Sequence, residues 1–227
     1  MATDVYNQIK KNTFSAENQV EISKQIQICN PDGKGKRYLF LGNSITLCGG
    51  APEKGWQGGW GMAASSMDKD YVHRIMAEVT KTDADAALCI CQVSRWEMNY
   101  KNPIGVTKLY DVARDFDADV IVARFVENCS VPDFEPEVFR IEYEKFIKSF
   151  DTTSKAKFIL TTGFWKHPGN SEIHLAAQEN GYEFVVLEDL GEDDSMKALG
   201  LFEHKGIAEH PGDKGMEHIA NRILRHI

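Results

Sequence analysis

The fold is decided by the stretch Arg37-Tyr38-Leu39-Phe40-Leu41-Gly42-Asn43-Ser44-Ile45-Thr46. Its apolar first half is typical of a short buried strand in a parallel sheet. Gly42 and Asn43 tolerate tight backbone geometry and end the strand, so the Ser44 hydroxyl follows directly after its carboxyl end. In open α/β sheets ligands bind at that edge, although an ordinary turn containing a serine would produce the same pattern. The rest of the chain has to decide between these two interpretations.

Four more short apolar runs follow, and amphipathic helical patterns separate them. Strict alternation of strands and helices implies a parallel sheet with helices on both faces. We therefore predict an α/β fold of three layers (α/β/α), flavodoxin-like, with a parallel sheet of about five strands. The further strands are predicted at 86–91, 119–123, 157–161 and 182–187, and the helices at 71–79 (capped by Asp68), 105–115, 135–150, 171–180 and 214–225.

Residues 1–35 differ in character from the rest of the chain. They are polar and mixed, two short segments at 20–22 and 26–28 alternate as an edge strand would, and a turn-rich linker covers 30–35. We predict an N-terminal appendage and linker over 1–35 and one α/β domain over 36–227.

The bulk composition excludes several classes of partner. A net charge of -8 and a pI of about 5.4 argue against nucleic acid and anionic membranes. No run approaches the roughly 18–20 apolar residues of a membrane span, and the first residues lack the basic and apolar segments of a signal peptide. Five cysteines without a C-x-x-C pair suit a reducing compartment. We therefore expect a cytoplasmic protein.

Polar side chains follow the predicted strands at the edge where ligands bind. They are Ser44, Ser94 with Arg95, Asn128 and His167, and His210 lies before the last helix. A hydroxyl, an amide and one or two imidazoles are the groups that acyl transfer needs, as nucleophile, oxyanion donor and base.

Three blocks of the sequence resemble the SGNH/GDSL hydrolase family. Gly42-Asn43-Ser44-Ile45-Thr46 is similar to the family's G-D-S-(I/L)-(T/S) block, with Asn43 in place of Asp. Val126-Glu127-Asn128 is similar to its G-x-N block, with Val126 in place of Gly. The segment His210–Met216 resembles the H-P-N-D-x-G-h segment that opens the last helix. The resemblance spans about residues 36–227 and implies an SGNH hydrolase fold with a catalytic domain over that range.

The resemblance also implies roles for these residues. Ser44 would be the nucleophile and His210 its general base, in an acyl-enzyme mechanism. Asn128 would donate its side-chain amide to the oxyanion, together with the Ser44 N–H. The family's second block places a glycine N–H in the same oxyanion hole, and this chain has Ser94 and Arg95 there. Gly61 is a less favoured donor because it precedes the second strand.

The family's Asp, three residues before the catalytic histidine, is replaced by Ile207. Either the enzyme uses a Ser–His dyad, or another group orients the imidazole. A dyad or a backbone carbonyl is the first choice and Glu203 the second. Glu209 is a weaker candidate because its side chain would point away from that of His210.

All four tryptophans fall in loops or strand ends, and Trp60, Trp96 and Trp165 are candidate substrate platforms because flat aromatic faces suit sugar rings. The Gly-rich loop 47–66 either lies against a ligand or forms an Ω-loop closed by its own tryptophans. A W-G-M-A-A-S-like loop resembles carbohydrate esterases of the family. His167 either lines the pocket or is a turn residue, and the turn is favoured.

We therefore expect a serine esterase, a carbohydrate O-acetyl esterase acting on an oligosaccharide or small-molecule ester. A lipase-like, thioesterase or arylesterase activity is one alternative, and a degenerate sugar-binding module is another. No His, Cys or carboxylate spacing predicts a metal, and no phosphate or dinucleotide loop predicts a cofactor.

Overall fold

The computed structural model describes residues 20–23 and 25–227. A seven-stranded sheet lies at its centre, in the order β1-β2-β4-β3-β5-β6-β7. Strands β3 to β7 are parallel to one another. Strand β2 is antiparallel to both of its neighbours, β1 and β4. The strands are β1 (Val20–Ser23), β2 (Ile26–Cys29), β3 (Arg37–Gly42), β4 (Ala87–Gln92), β5 (Val120–Arg124), β6 (Lys157–Thr161) and β7 (Glu183–Val185). The predicted five-stranded parallel sheet is confirmed.

The N-terminal hairpin is part of that same sheet. Strand β2 pairs with β4 from Ile26 to Cys29, and all four of its residues are buried. The described residues between 20 and 35 therefore belong to the same sheet as the strands that follow them, and the predicted division of the chain at residue 35 stays a prediction. The part of the predicted appendage at 1–19, and residue 24, lie outside the described residues.

Helices cover both faces of the sheet. They are α1 (Tyr71–Val79), α2 (Ser94–Glu97), α3 (Asp111–Arg114), α4 (Pro136–Lys148), α5 (Gly169–Asn180), α6 (Lys205–Ala208) and α7 (Asp213–Leu224). The cap of α1 is Asp70, whose side chain accepts from the His73 N–H at 2.8 Å, and not Asp68 as predicted. The predicted helix 105–115 is instead a succession of single turns that ends in α3. No helix in the described ranges is long and apolar enough to span a bilayer.

Two apolar cores lie on opposite faces of the sheet because side chains alternate along each strand. On one face Leu39 and Leu41 pack toward α4, and on the other Tyr38 and Phe40 pack toward α1 and α7. Strand β3 lies between β4 and β5. The loops after these three neighbouring strands therefore meet at one edge of the sheet, and they carry Ser44, Ser94 and Asn128.

Candidate active site

The loop after β3 holds Ser44 in a tight turn. The Thr46 and Leu47 N–H groups both donate to the Asn43 carbonyl at 2.9 Å. A Cβ at Gly42 would overlap the Thr46 side chain, so this position needs glycine. The Ser44 carbonyl accepts from the Met62 N–H at 2.8 Å, which ties the turn to the Gly-rich loop. Ser44 itself is half-buried, so its hydroxyl is presented at the edge of the sheet.

The Ser44 hydroxyl contacts the His210 imidazole. Its Oγ lies 2.8 Å from Nε2, and the His210 Nδ1 lies 2.6 Å from the Gly206 carbonyl oxygen. A carbonyl can only accept, so Nδ1 carries the ring proton and donates it. The Nε2 lone pair is then free to accept the proton of the Ser44 hydroxyl. This is the tautomer that a general base needs.

The backbone around His210 is held by helix α6 and by an apolar contact. The His210 N–H donates to the Ile207 carbonyl at 3.0 Å, and the His210 carbonyl accepts from the Ala198 N–H at 2.9 Å. Ile207 is buried in a small apolar cluster with Trp56, Ala63 and Ala198. The position at which the family has an orienting Asp therefore anchors the loop by packing, and the Gly206 carbonyl orients the ring.

Both candidate acids lie elsewhere. Glu209 is exposed, and its carboxylate pairs with Lys197 at 3.1 Å. Glu203 is exposed on the loop before α6, and the Nδ1 contact goes to Gly206 and not to Glu203. The hypothesis that either carboxylate orients His210 is therefore wrong in this structure, because a nearer carbonyl occupies that place.

The surroundings of His210 favour its neutral form. Burial lowers its pKa below the usual 6.5, and nearby Arg124 and His204 act in the same direction. The hydrogen bond to Gly206 and the charge of Glu127 oppose this shift without reversing it. A neutral ring at pH 7 is the form that can take a proton from Ser44.

Several N–H groups lie at the ends of the strands that neighbour β3. Asn128 is exposed, and its Nδ2 donates to Glu97 Oε2 at 2.6 Å and lies 3.4 Å from the Ser94 Oγ. The second Nδ2 hydrogen is directed at the Ser94 Oγ, and 3.4 Å is long for a hydrogen bond, so a ligand oxygen that comes closer can replace it. The backbone N–H groups of Ser44, Ser94 and Arg95 have no acceptor within the described part of the chain. The Gly61 N–H, by contrast, donates to Asp70 at 3.1 Å.

A buried polar network lies behind these groups, and sequence reasoning assigned it no role. Asn43 donates its Nδ2 to Glu97 Oε1 at 3.1 Å and to Glu127 Oε2 at 2.5 Å, and its Oδ1 accepts from Arg124 at 2.5 Å. Arg124 also pairs with Glu127 at 2.7 Å. The signal in the sequence was an arginine at the end of an otherwise apolar strand, since a buried guanidinium requires a carboxylate partner.

The two carboxylates of this network differ in pKa. Burial, and then the charge of Glu127, raise the pKa of Glu97 to about 7, against the hydrogen bonds from Asn128 and Asn43. Burial also acts to raise the pKa of Glu127, but the charge and hydrogen bonds of Arg124 hold it below its usual range. Arg124 thus offsets the effect of burial on the pKa of Glu127, whereas the pKa of Glu97 stays raised.

The four tryptophans have different environments. Trp96 is fully buried and stacks on Phe146, with ring centroids 4.7 Å apart, so the prediction that it binds substrate is wrong. Trp56 is also buried and donates to the Cys48 carbonyl at 3.1 Å, as in an Ω-loop closed by its own side chains. Trp60 is half-buried and donates to the Ala64 carbonyl. Trp165 is half-buried and meets the His210 ring edge-on at 5.3 Å.

His167 is a turn residue, as the favoured interpretation had it. Its Nε2 lies 3.0 Å from the Cys129 carbonyl oxygen, and its Nδ1 accepts from the Gly169 N–H at 3.0 Å. Both ring nitrogens are thus engaged within the protein, which argues against the predicted role in substrate binding.

An open cavity of about 500 Å³ adjoins Asn128. Its lining combines polar side chains, among them Asn99, Asn102 and Asp133, with Met98 and Tyr100. Among the described residues, no three His, Cys, Asp or Glu side chains are grouped as metal ligands. That no metal or cofactor is needed stays a prediction.

Comparisons with known proteins identify relatives by structure. No family model matches the sequence, and no curated protein matches it. The psychrotrophic esterase EstA from Pseudoalteromonas sp. superposes with a TM-score of 0.54 at 11% identity, over 84% of this chain and 95% of its own.

Two carbohydrate esterases superpose equally well. A family two carbohydrate esterase from Cellvibrio japonicus gives a TM-score of 0.55 at 16% identity, over 86% of this chain. A two-domain esterase active on acetylated mannans gives 0.52 at 16% identity, over 87% of this chain. This chain spans 60% and 50% of their respective lengths. With its sheet order and the Ser44–His210 contact, the chain has the fold of the SGNH/GDSL hydrolases.

Proposed function

We propose that this protein is a serine esterase that removes acetyl groups from oligo- or polysaccharides through Ser44 and His210. The observation that carries the proposal is the contact of 2.8 Å between Ser44 Oγ and His210 Nε2, with the Gly206 carbonyl on the other ring nitrogen. A serine hydroxyl is a weak nucleophile without an adjacent base, and this arrangement supplies one.

In the first half-reaction, Ser44 Oγ attacks the ester carbonyl carbon while His210 Nε2 takes its proton. The negative charge that develops on the carbonyl oxygen accepts hydrogen bonds from the Ser44 N–H, the Asn128 amide hydrogen that otherwise contacts the Ser94 Oγ, and an N–H of Ser94 or Arg95. The intermediate then collapses. The C–O bond to the sugar breaks, the alkoxide takes the proton from His210, and the acetyl group stays on Ser44.

In the second half-reaction, a water molecule replaces the sugar. His210 Nε2 takes a proton from the water as its oxygen attacks the acetyl carbon, and the same N–H donors stabilise the oxyanion. Collapse breaks the bond between the acetyl carbon and Ser44 Oγ, returns the proton from His210 to Ser44 Oγ and releases acetic acid, which ionises to acetate in water. The Gly206 carbonyl keeps the imidazolium in one orientation through both steps, a task that a carboxylate performs in Ser-His-Asp enzymes.

Two features favour a sugar ester over a long-chain acyl ester. Trp165 lies edge-on to His210 and is half-buried, so part of its ring is open beside the reacting groups. The cavity next to Asn128 is lined by amide and carboxylate side chains as well as by Met98 and Tyr100, which suits the hydroxyl groups and the apolar ring face of a sugar. The similarity to carbohydrate esterases points in the same direction.

The esterase activity is tested with 4-nitrophenyl acetate. We expect turnover by the wild type and a loss of at least about 1000-fold in Ser44→Ala, since a missing nucleophile removes the acyl-enzyme route. Circular dichroism of the variant checks that it is folded. Equal turnover by the two proteins would contradict the assignment of Ser44.

The substrate class needs a separate assay. We expect release of acetate from acetylated xylo- or manno-oligosaccharides and little hydrolysis of long-chain acyl esters. The opposite preference would favour a lipase-like or thioesterase activity. Binding of these sugars without turnover would favour a sugar-binding module. The expected cytoplasmic location stays a prediction, which cell fractionation would test.

A further inference from the structure

The buried carboxylate of Glu97 contacts two parts of the active site, the side chain of Asn128 and the nucleophile loop at Asn43. Glu97 is the last residue of α2 and is completely buried. Its Oε2 accepts from the Asn128 side-chain amide at 2.6 Å, and its Oε1 accepts from the Asn128 N–H at 3.3 Å. The amide plane of Asn128 is therefore fixed, because the carboxylate can accept from Nδ2 and not from Oδ1.

The same carboxylate reaches the nucleophile loop through Asn43. Glu97 Oε1 accepts from the Asn43 Nδ2 at 3.1 Å, and the Asn43 Oδ1 accepts from the Ile45 N–H at 3.3 Å. Helix α2 itself is tied to the end of β3, since the Val93 N–H donates to the Gly42 carbonyl at 2.6 Å.

Burial of the Glu97 carboxylate lowers the stability of the folded protein. This carboxylate has no cationic partner of its own among the described residues, because Arg124 donates to Glu127 and Asn43. An isolated carboxylate removed from water destabilises the fold unless hydrogen bonds compensate. Retaining one at this place is typical of a group with a functional task.

We propose that Glu97 is a positioning residue that aims the Asn128 amide at the oxyanion. In this role it never touches the substrate. It holds one Nδ2 hydrogen, and the other makes only a long contact of 3.4 Å with the Ser94 Oγ. An oxyanion at about 2.7–3.1 Å, the distance at which such donors act, would take the place of that contact. The inference rests on the proposed esterase function, because it needs an oxyanion to stabilise.

Glu97→Gln tests this role with little change in shape. An amide side chain keeps one acceptor oxygen and presents an NH2 where the second oxygen stood. The oxygen is favoured at the Oε1 position, where it accepts from two donors, the Asn128 N–H and the Asn43 Nδ2. The NH2 then faces the Asn128 Nδ2, itself a donor, so the Asn128 amide is no longer fixed. With 4-nitrophenyl acetate we expect kcat to fall by about 10- to 100-fold with KM within about twofold, since only the transition state uses the donor.

A double-mutant cycle with Asn128→Ala separates positioning from a general structural role. Removing the donor itself should lower kcat by about 100- to 1000-fold. If Glu97 acts through Asn128, adding Glu97→Gln to Asn128→Ala should change kcat by less than about threefold. If the two losses multiply, Glu97 acts elsewhere and the proposal is wrong.

The matched control is Glu137→Gln, an exposed position on α4, for which we expect unchanged kcat. If Glu97→Gln does not yield folded protein, Glu97→Asp replaces it in the cycle, because the shorter side chain keeps the charge but withdraws it from Asn128. A wild type without esterase activity would refute the proposed function. An active wild type with multiplying losses would refute only the role of Glu97.

Discussion

Asn43 stands where the family motif has Asp, and its amide group explains why. Its Nδ2 donates to Glu97 at 3.1 Å and to Glu127 at 2.5 Å, which an ionised carboxylate cannot do. The substitution Asn43→Asp would remove both hydrogen bonds and place a third carboxylate beside a single arginine, Arg124. Hydrogen bonds to charged groups contribute about 1.5–3 kcal/mol each, so the expected loss of unfolding free energy is about 3–6 kcal/mol at pH 8.

The loss should depend on pH with a definite sign. In the folded variant, repulsion from the charges of Glu97 and Glu127 should raise the pKa of the introduced aspartate. In the unfolded chain the same aspartate titrates near its ordinary pKa of about 3.9. Between these values the folded state binds more protons than the unfolded state, so stability falls as pH rises. In wild type Glu97 has a pKa of about 7, so its carboxyl group is mostly ionised above that pH. The difference in unfolding free energy between the wild type and Asn43→Asp should therefore become smaller from pH 9 to pH 7, by up to about 1.4 kcal/mol per pH unit.

The assay is urea unfolding followed by tryptophan fluorescence, with Trp96 as the buried reporter. Asn102→Asp is the control because Asn102 is exposed, and a surface change of this kind stays within about 0.5 kcal/mol. A loss below about 1 kcal/mol at pH 8, or a gap that widens toward pH 7, would refute the account of Asn43.

Three further predictions concern the loop before His210 and the core. Glu203→Gln and Glu209→Gln should each leave kcat/KM within about twofold, because the Gly206 carbonyl orients the ring; a loss of about 10-fold or more in either, measured with 4-nitrophenyl acetate, would return that carboxylate to the site. Ile207→Asp restores the family's residue type but places a carboxylate in an apolar cluster. The unfolding free energy measured with urea should therefore fall by about 3 kcal/mol or more, and kcat should not rise. A higher kcat would mean that the introduced carboxylate reaches His210. Trp96→Ala should lower the unfolding free energy by about 3–5 kcal/mol, because this side chain is buried in the core. Trp165→Ala should instead raise the KM for sugar acetates, because this ring lies beside His210. The reverse pattern would contradict the assignment of Trp96 to the core and of Trp165 to the active site.

The parallel sheet was predictable from the sequence because its central strands are buried on both faces. Such strands appear as continuous apolar runs, and β3 to β7 all correspond to predicted runs. The N-terminal hairpin was harder to assign. Its alternation indicated an edge strand, but nothing local says which edge a hairpin joins, and its pairing with β4 involves residues about 60 positions apart.

The residues of the candidate site were also predictable in part. Ser44, Asn128 and His210 each lie in a recognisable block, and parallel strands bring the loops that carry Ser44 and Asn128 to one edge of the sheet. The tryptophans were not separable by sequence, because Trp96 and Trp165 both follow strands and only packing buries one of them.

The sequence by itself thus determined the layer order of the fold and the hydroxyl, amide and imidazole at one edge of its sheet. Only the tertiary structure decided what orients His210, since a backbone carbonyl leaves no mark in a sequence of side chains. The tertiary structure also assembled Glu97, Asn43, Arg124 and Glu127 from three strand ends. Each of these residues is ordinary in its own segment, and the partners that make its burial tolerable come from other segments.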